Sequence, residues 1–217
     1  MLLSSKVGWS ADYQKPLRAY KNSDYATALR ELKPLAEEGH AEAQFWLGKM
    51  YNRGDGVPQN YKTALKWWTR AAEQGLAEHQ YNLGWRIFFN GRGLPKNDKT
   101  AFKWFTRAAE QGHFGAQYKL GWMYHNGRGV PQDYVYAHMW YNVCASQGSE
   151  DPSAVDEFKI GEDLQKLLKS LRLSSKRRSY IAVGNRDRVA EKMSPSQIEK
   201  AQDLASECVE KKFKECD

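Results

Sequence analysis

The sequence predicts an all-α fold in which antiparallel helix pairs repeat along the chain, and three observations predict it. First, landmarks recur in phase. The glycine closing LAEEG, AAEQG, AAEQG and CASQG falls at Gly39, Gly75, Gly112 and Gly148, at spacings of 36, 37 and 36. Ala28, Ala64, Ala101 and Ala137 keep the same spacings, and Leu47-Gly48, Leu83-Gly84, Leu120-Gly121 and Pro58, Pro95, Pro131 keep 36 or 37. A period of that size marks a repeat architecture in which each unit buries its apolar face on its neighbours. Second, apolar residues inside each period follow helical spacing: Ala43, Leu47 and Tyr51 on one segment, Ala64, Trp67, Trp68, Ala71 and Ala72 on the next. Third, the two segments are joined by GDGVPQN, GRGLPKN or GRGVPQD, and nothing reads as a strand.

The elements follow in order. Residues 1–10 lie in MLLSSKVGWSADYQ, which resembles the back half of a secretory signal, with small residues at Gly8 and Ser10. It lacks a basic leading region, and Lys6 interrupts the apolar stretch. We read it as a remnant of a signal peptide on a periplasmic or secreted protein; the alternative is an ordinary terminus on a cytoplasmic one. Residues 11–39 form a first, shorter unit. Repeats follow at 40–75, 76–112 and 113–148, the second one residue longer because RIFFNGRG replaces KMYNRGDG.

Within a repeat, Gly48 beside Leu47 removes a side chain where another helix must come close. The second helix ends at a glycine able to turn left-handed. Alternating small Ala/Gly and large Trp/Tyr positions let the two helices interlock. Trp67, Trp104 and Trp140 are expected to be largely buried, as are Trp68, Phe105 and Tyr141 beside them. In the joining loop glycine accepts positive φ, proline cannot continue the helix, and Val57, Leu94 or Val130 tucks beneath. A phosphate-binding glycine loop needs a strand before it and a helix N-terminus immediately after, and both are missing.

Residues 149–217 read as a C-terminal helical cap with a basic insertion. EDLQKLLKSLRL puts Leu164, Leu167, Leu168 and Leu171 on one face of an amphipathic helix over 153–173. RLSSKRRSYIAVGNRDR at 172–188 sets six Arg/Lys against Asp187. Its Lys176-Arg177-Arg178 run is expected in a solvated loop, with an acidic partner or lipid as the functional alternative. A last helix begins at Ser194, with Pro195 at N1 and Gln197 completing a capping box.

Units reading A-x-x-x-L-G-x-x-Y, then G-x-G-V-P, then A-x-x-W-x-x-x-A-A-x-x-G resemble Sel-one-like repeats, the longer-looped relatives of tetratricopeptide repeats. The resemblance covers about residues 41–148 in three copies. In the second, Phe88 or Phe89 stands where the others have Tyr51 and Tyr124. Residues 11–39 resemble a shorter tetratricopeptide-type unit, and RDRVAEKMSPSQIEKAQDLA resembles the tail of many bacterial members. The resemblance implies a right-handed α-solenoid, with the first helix of each pair lining a concave face, and a scaffold or adaptor role, often in the bacterial envelope.

By that geometry the positions two before and two after the landmark leucines point into the groove: Phe45, Tyr81 and Tyr118; Lys49, Trp85 and Trp122. Asn52, His125 and Asn126 lie nearby. These are the expected partner-binding residues, for a peptide or protein with an apolar stripe. The alternative is that the 153–173 helix fills the groove or that the rings pack on one another.

Other chemistry is not signalled. The five histidines form neither H-E-x-x-H nor H-x₃₋₅-H, and G-x-S-x-G, Walker and C-x-x-C motifs are missing. No catalytic residue, metal ligand or cofactor is nominated. Net charge is +7: residues 1–150 hold 19 Lys/Arg against 13 Asp/Glu (+6) and residues 151–217 hold 14 against 13 (+1), a spread that argues against nucleic-acid binding. Mean hydropathy is −0.78 and no membrane-spanning run is present. A second functional reading is slow binding or hydrolysis of β-lactams, as in cysteine-rich relatives; those carry a cysteine pair in essentially every repeat, and this chain does not.

Cys208 and Cys216 would be ~12 Å apart along an unbroken helix, beyond the ~7 Å a disulfide tolerates. They can meet if the helix ends near Lys212 and the chain folds back. The C-x₇-C spacing resembles the bridge of the cysteine-rich branch, and that resemblance implies a Cys208–Cys216 disulfide and an oxidising compartment. The alternative is a pair of reduced thiols in the cytosol. Cys144, in the place of Ala71 and Ala108, is expected to be a buried thiol.

Overall fold

Short polar residues decide where the helices start. The structure, a computed structural model, describes residues 9–89, 97–146, 174–214 and 216. They form ten helices and, among the described residues, no strand. The chain divides into two units, residues 1–96 and 97–217. The first holds α1 (Trp9–Lys21), α2 (Tyr25–Glu37), α3 (Ala41–Arg53), α4 (Tyr61–Glu73) and α5 (Ala77–Phe89). The second holds α6 (Asp98–Ala109), α7 (Phe114–Asn126), α8 (Tyr134–Ser146), α9 (Ser174–Ala190) and α10 (Pro195–Glu210). In the first unit consecutive helices pack on each other; in the second α6 packs on α7 and α7 on α8, and α9 and α10 both cover α8.

The last residue of each joining loop caps the helix that follows. Asn60 accepts from Thr63 N at 2.9 Å and Asn97 from Thr100 N at 2.9 Å. Asp133 accepts from Val135 N and Tyr136 N. His40 and His113, one residue past a repeat glycine, use Nδ1 in the same way on Ala43 N and Ala116 N. Ser194 and Gln197 form the reciprocal capping box that the sequence calls for. In the loop itself Gly54 and Gly56 have φ of 81° and 72°, and Gly127 and Gly129 have 61° and 79°. The second glycine also permits a close approach: a Cβ on Gly56 would lie 2.7 Å from Tyr25 Cβ, and one on Gly129 would collide with the Asp98 carbonyl. The loop thus docks on the N-terminus of the preceding unit's second helix. Val57 packs against the core of the first unit; Leu94 lies outside the described residues.

Three glutamines tie one repeat to the next. Gln44, Gln80 and Gln117 are buried, and each Nε2 donates to a last-turn carbonyl of the preceding helix: Ala36 O at 3.0 Å, Ala72 O at 3.4 Å and Ala109 O at 3.4 Å. Each carbonyl also accepts from the N–H of the repeat glycine that ends its helix, Gly39 at 3.2 Å, Gly75 at 3.1 Å and Gly112 at 2.8 Å.

The core follows the expected register with two corrections. Trp68, Phe105 and Tyr141 are buried, with Trp68 2% exposed. Trp140 is buried too, but Trp67 and Trp104 are only partly covered. Arg70 and Arg107, three residues on, lay their guanidinium groups over these two rings at 4.9 Å. Val143 replaces the arginine on α8, and α9 and α10 cover that flank. Helical register also makes Ile87, rather than Phe88 or Phe89, the equivalent of Tyr51 and Tyr124. All three stand four residues after a landmark leucine, and Ile87 is buried.

Helix α9 begins at Ser174, so Lys176, Arg177 and Arg178 sit on a helix and not in a loop. SSKRRSY carries no proline or glycine, and a basic run is compatible with a helix surface. The side chains of these three, the proposed helix over 153–173 and residues 1–8 lie outside the described residues. At the C-terminus α10 ends at Glu210 and the chain reverses through Lys212 and Phe213, with φ of 51° and 66°. Phe213 N donates to Cys208 O at 2.8 Å, and the Phe213 ring lies against Gly112. The reversal brings the Cys208 and Cys216 Cα atoms to 4.9 Å, and the two are joined as a disulfide. Cys144 is buried on α8 with its thiol 3.7 Å from Phe114 O.

Two measurements check this packing. In urea unfolding, Trp68→Ala is expected to cost about 3–5 kcal/mol, and Trp67→Ala roughly half of that or less; equal costs would place both rings in the core. Thiol titration of the unfolded, unreduced protein should find one reactive thiol; three would refute the Cys208–Cys216 bond.

Candidate functional site: the aromatic face of the first helices

The positions two residues either side of the landmark leucines fall on α3, α5 and α7; Trp85 is exposed and the other five are half-buried, with the Tyr118 ring 5.7 Å from that of Tyr141 on α8. In the first unit Phe45 stacks on His79, with centroids 5.2 Å apart and planes at 19°. His79 Nε2 stands 3.3 Å from Glu42 Oε1, and that bond holds the Glu42 carboxyl below its ordinary range. Lys49 lies over two rings, 4.1 Å from Trp46 and 5.1 Å from Tyr20. Burial first, then the charges of Arg53 and Arg86, lowers the affinity of its amine for a proton. Asn52 contributes its carbonyl to Gln59 Nε2 at 2.8 Å, which fastens the joining loop.

On α5 the rings form a ladder one turn apart. Tyr81 and Trp85 have centroids 6.1 Å apart, and Trp85 and Phe89 4.1 Å. Trp85 is 39% exposed and Phe89 53%, among the few large apolar side chains that reach solvent to that degree.

The second unit treats its part of the set differently. Tyr118 accepts from Asn185 Nδ2 of α9 at 3.0 Å, and burial raises its phenol pKa. Its ring therefore belongs to the packing of the C-terminal helices. Trp122 has the Lys119 ammonium 5.2 Å from its ring, and burial pulls the Lys119 amine down to about 8. His125 meets the Tyr134 ring edge-on at 5.9 Å, its pKa lowered by burial and then by Lys192 and Arg188. Asn126 is exposed and donates to Trp122 O at 2.8 Å. The expected residues thus fall into two groups, Phe45, Lys49, Asn52, Tyr81 and Trp85 in one unit and Tyr118, Trp122, His125 and Asn126 in the other.

Sequence reasoning missed Phe89, Trp46, Arg53 and Arg86. For Arg86 a signal existed: Met50 and Met123 stand in the same register, three residues after the leucine.

Comparison with known proteins agrees with the repeat period. The Sel1 repeat model matches residues 41–76, 77–113 and 115–149. The crystal structure of a Sel1 repeat protein from Oxalobacter formigenes is 44% identical, covers 56% of this chain and 91% of its own, and superposes with a TM-score of 0.50. The chain belongs to the Sel1 repeat family. Sel1 repeat proteins generally mediate protein–protein interaction. An exopolysaccharide production negative regulator of Rhizobium leguminosarum bv. viciae is 33% identical over 70 residues, 32% of this chain. The match spans 26% of that regulator's length. A protective antigen of uropathogenic Escherichia coli with an SLR fold is 24% identical, covering 95% of this chain and 48% of its own, with a TM-score of 0.42.

Proposed function

We propose that this Sel1 repeat protein is a non-catalytic scaffold that binds a peptide or protein partner on the outward face of its first helices. The observation that carries the reading is the Tyr81-Trp85-Phe89 ladder of α5. Rings at i, i+4 and i+8 offer a continuous apolar strip, and two of the three are open to solvent. Exposed apolar patches on a folded unit mark interaction sites. Tyrosine and tryptophan anchor such sites because they offer large area with a polar handle at small entropic cost. A partner with an apolar stripe, helical or extended, matches that spacing. The Cys208–Cys216 pair supports an oxidising compartment, periplasmic or extracellular, as the place where this happens.

Tyr81→Ala and Trp85→Ala should leave the urea midpoint nearly unchanged and abolish capture of a partner from a cell-envelope extract. Unchanged capture by folded variants would remove this face as the site. A large loss of stability would show the ladder to be core.

A further inference from the structure

Met50, Arg86 and Met123 occupy one register of the first helices. The two methionines are fully buried. Repeat 2 therefore places a cation where its neighbours bury a thioether. The Arg86 guanidinium carbon lies over Trp68, 3.6 Å from the ring centroid, and its Nε is buried with no hydrogen-bond partner. Burial, and after it the charge of Arg53, pulls its pKa down to about 10. A withdrawn cation is costly unless an anion meets it.

Two more cations belong to the same group. Arg53 opposes the charge of Arg86, and both oppose that of Lys49. The carboxylate among them, Asp55, already accepts from Tyr20 OH at 2.6 Å, and Arg53 Nη1 donates to that same hydroxyl at 3.4 Å. One acid thus stands among three bases, walled by Tyr20, Trp46 and Trp68 and flanked on α5 by the exposed ladder.

We propose that Arg86, Arg53 and Lys49 form a carboxylate subsite that seats an acidic side chain of a peptide bound along the α3–α5 face. The inference rests on the reading of that face as the partner surface and adds the partner's chemistry: an apolar stripe for the ladder with Asp or Glu beside it. A guanidinium stacked on a ring keeps its edge for a planar carboxylate, which it meets with two parallel bonds. Lys49 and Arg86 are partly withdrawn between rings, so a side chain that enters the face reaches them more readily than a flat membrane surface does.

The test is a random peptide-display selection on the full chain, run in parallel on Arg86→Met and Arg53→Gln. Arg86→Met restores the residue of the other two repeats, and circular dichroism with urea unfolding confirms the fold of each variant. Peptides recovered on the unaltered protein should pair apolar residues with an excess of Asp and Glu. On the variants the acidic excess should vanish while the apolar preference remains. A recovered acidic peptide, labelled with fluorescein, should bind Arg86→Met about tenfold more weakly, and the gap should narrow as NaCl rises. Equal acidic enrichment on all three proteins, or apolar peptides without acid on the unaltered chain, would overturn the subsite and leave the face reading standing. No enriched peptide on any of them would overturn both. Acid-free peptides, together with phosphatidylglycerol vesicles that bind the unaltered chain but not Arg86→Met, would assign the cluster to lipid and overturn the proposal.

Discussion

The contact on which this fold depends is a bare glycine backbone on the first helix pressed by an aromatic ring from the second. Gly48 faces Trp68 and Gly121 faces Tyr141. A Cβ at Gly48 would fall 2.6 Å from the Trp68 ring and 3.1 Å from the Ala64 carbonyl, and one at Gly121 would fall 2.8 Å from the Tyr141 ring. The ring can be fully buried only because the opposing helix has no side chain there. At Trp68 the approach also brings the indole N–H to Phe45 O at 3.1 Å, so the polar end of the ring is satisfied at the same joint. With the pair locked at that distance, Leu47 and Leu120 point between the helices. Two positions either side, Tyr118 still meets the Tyr141 ring of the joint, whereas on α5 Tyr81 and Trp85 belong to the aromatic ladder.

A second set of constraints links one pair to the next. In the joining loops at 54–60 and 127–133 the paired glycines take left-handed backbone and let the loop lie on the start of the preceding second helix. The Asn or Asp that ends the loop caps the following helix. The buried glutamines close the last turn of the helix before. The caps and the glutamines act on backbone groups at helix ends, where the intrahelical ladder runs out. The caps and the glutamines recur in all three repeats because each repeat creates the same helix ends. A chain built this way has freedom left on that face, where Lys49 stands at the position that holds Trp85 and Trp122 in the other repeats.

Much of this was legible in the sequence because it is local. Helix starts at Ser194 and after Asn60, helix stops at Gly75 and Gly112, and the apolar registers of Leu47 and Trp68 depend on residues within a few positions. What was not legible depends on distant parts of the chain. Trp67, Trp104 and Trp140 look alike in sequence, yet only Trp140 stands on a helix that α9 and α10 cover. Tyr118 matches Phe45 and Tyr81 by register, but Asn185, 67 residues away, takes its hydroxyl. The glutamines escaped notice because an isolated Gln resembles any surface residue. Arg86 escaped because its meaning lies in the contrast with Met50 and Met123 rather than in its own surroundings.

The glycine–ring joint is tested most directly by a double-mutant cycle on Gly48→Ala and Trp68→Ala, followed by urea unfolding. Ala in an exposed helix interior stabilises by about 0.5–1 kcal/mol relative to Gly. Here the added methyl meets a buried ring that has no room to move, so Gly48→Ala alone should destabilise by about 1–3 kcal/mol. In the Trp68→Ala background the penalty should disappear or reverse, which gives a coupling energy of about 1 kcal/mol or more. Stabilisation by Gly48→Ala in both backgrounds, with additive effects, would contradict the joint as the constraint that the fold is built around.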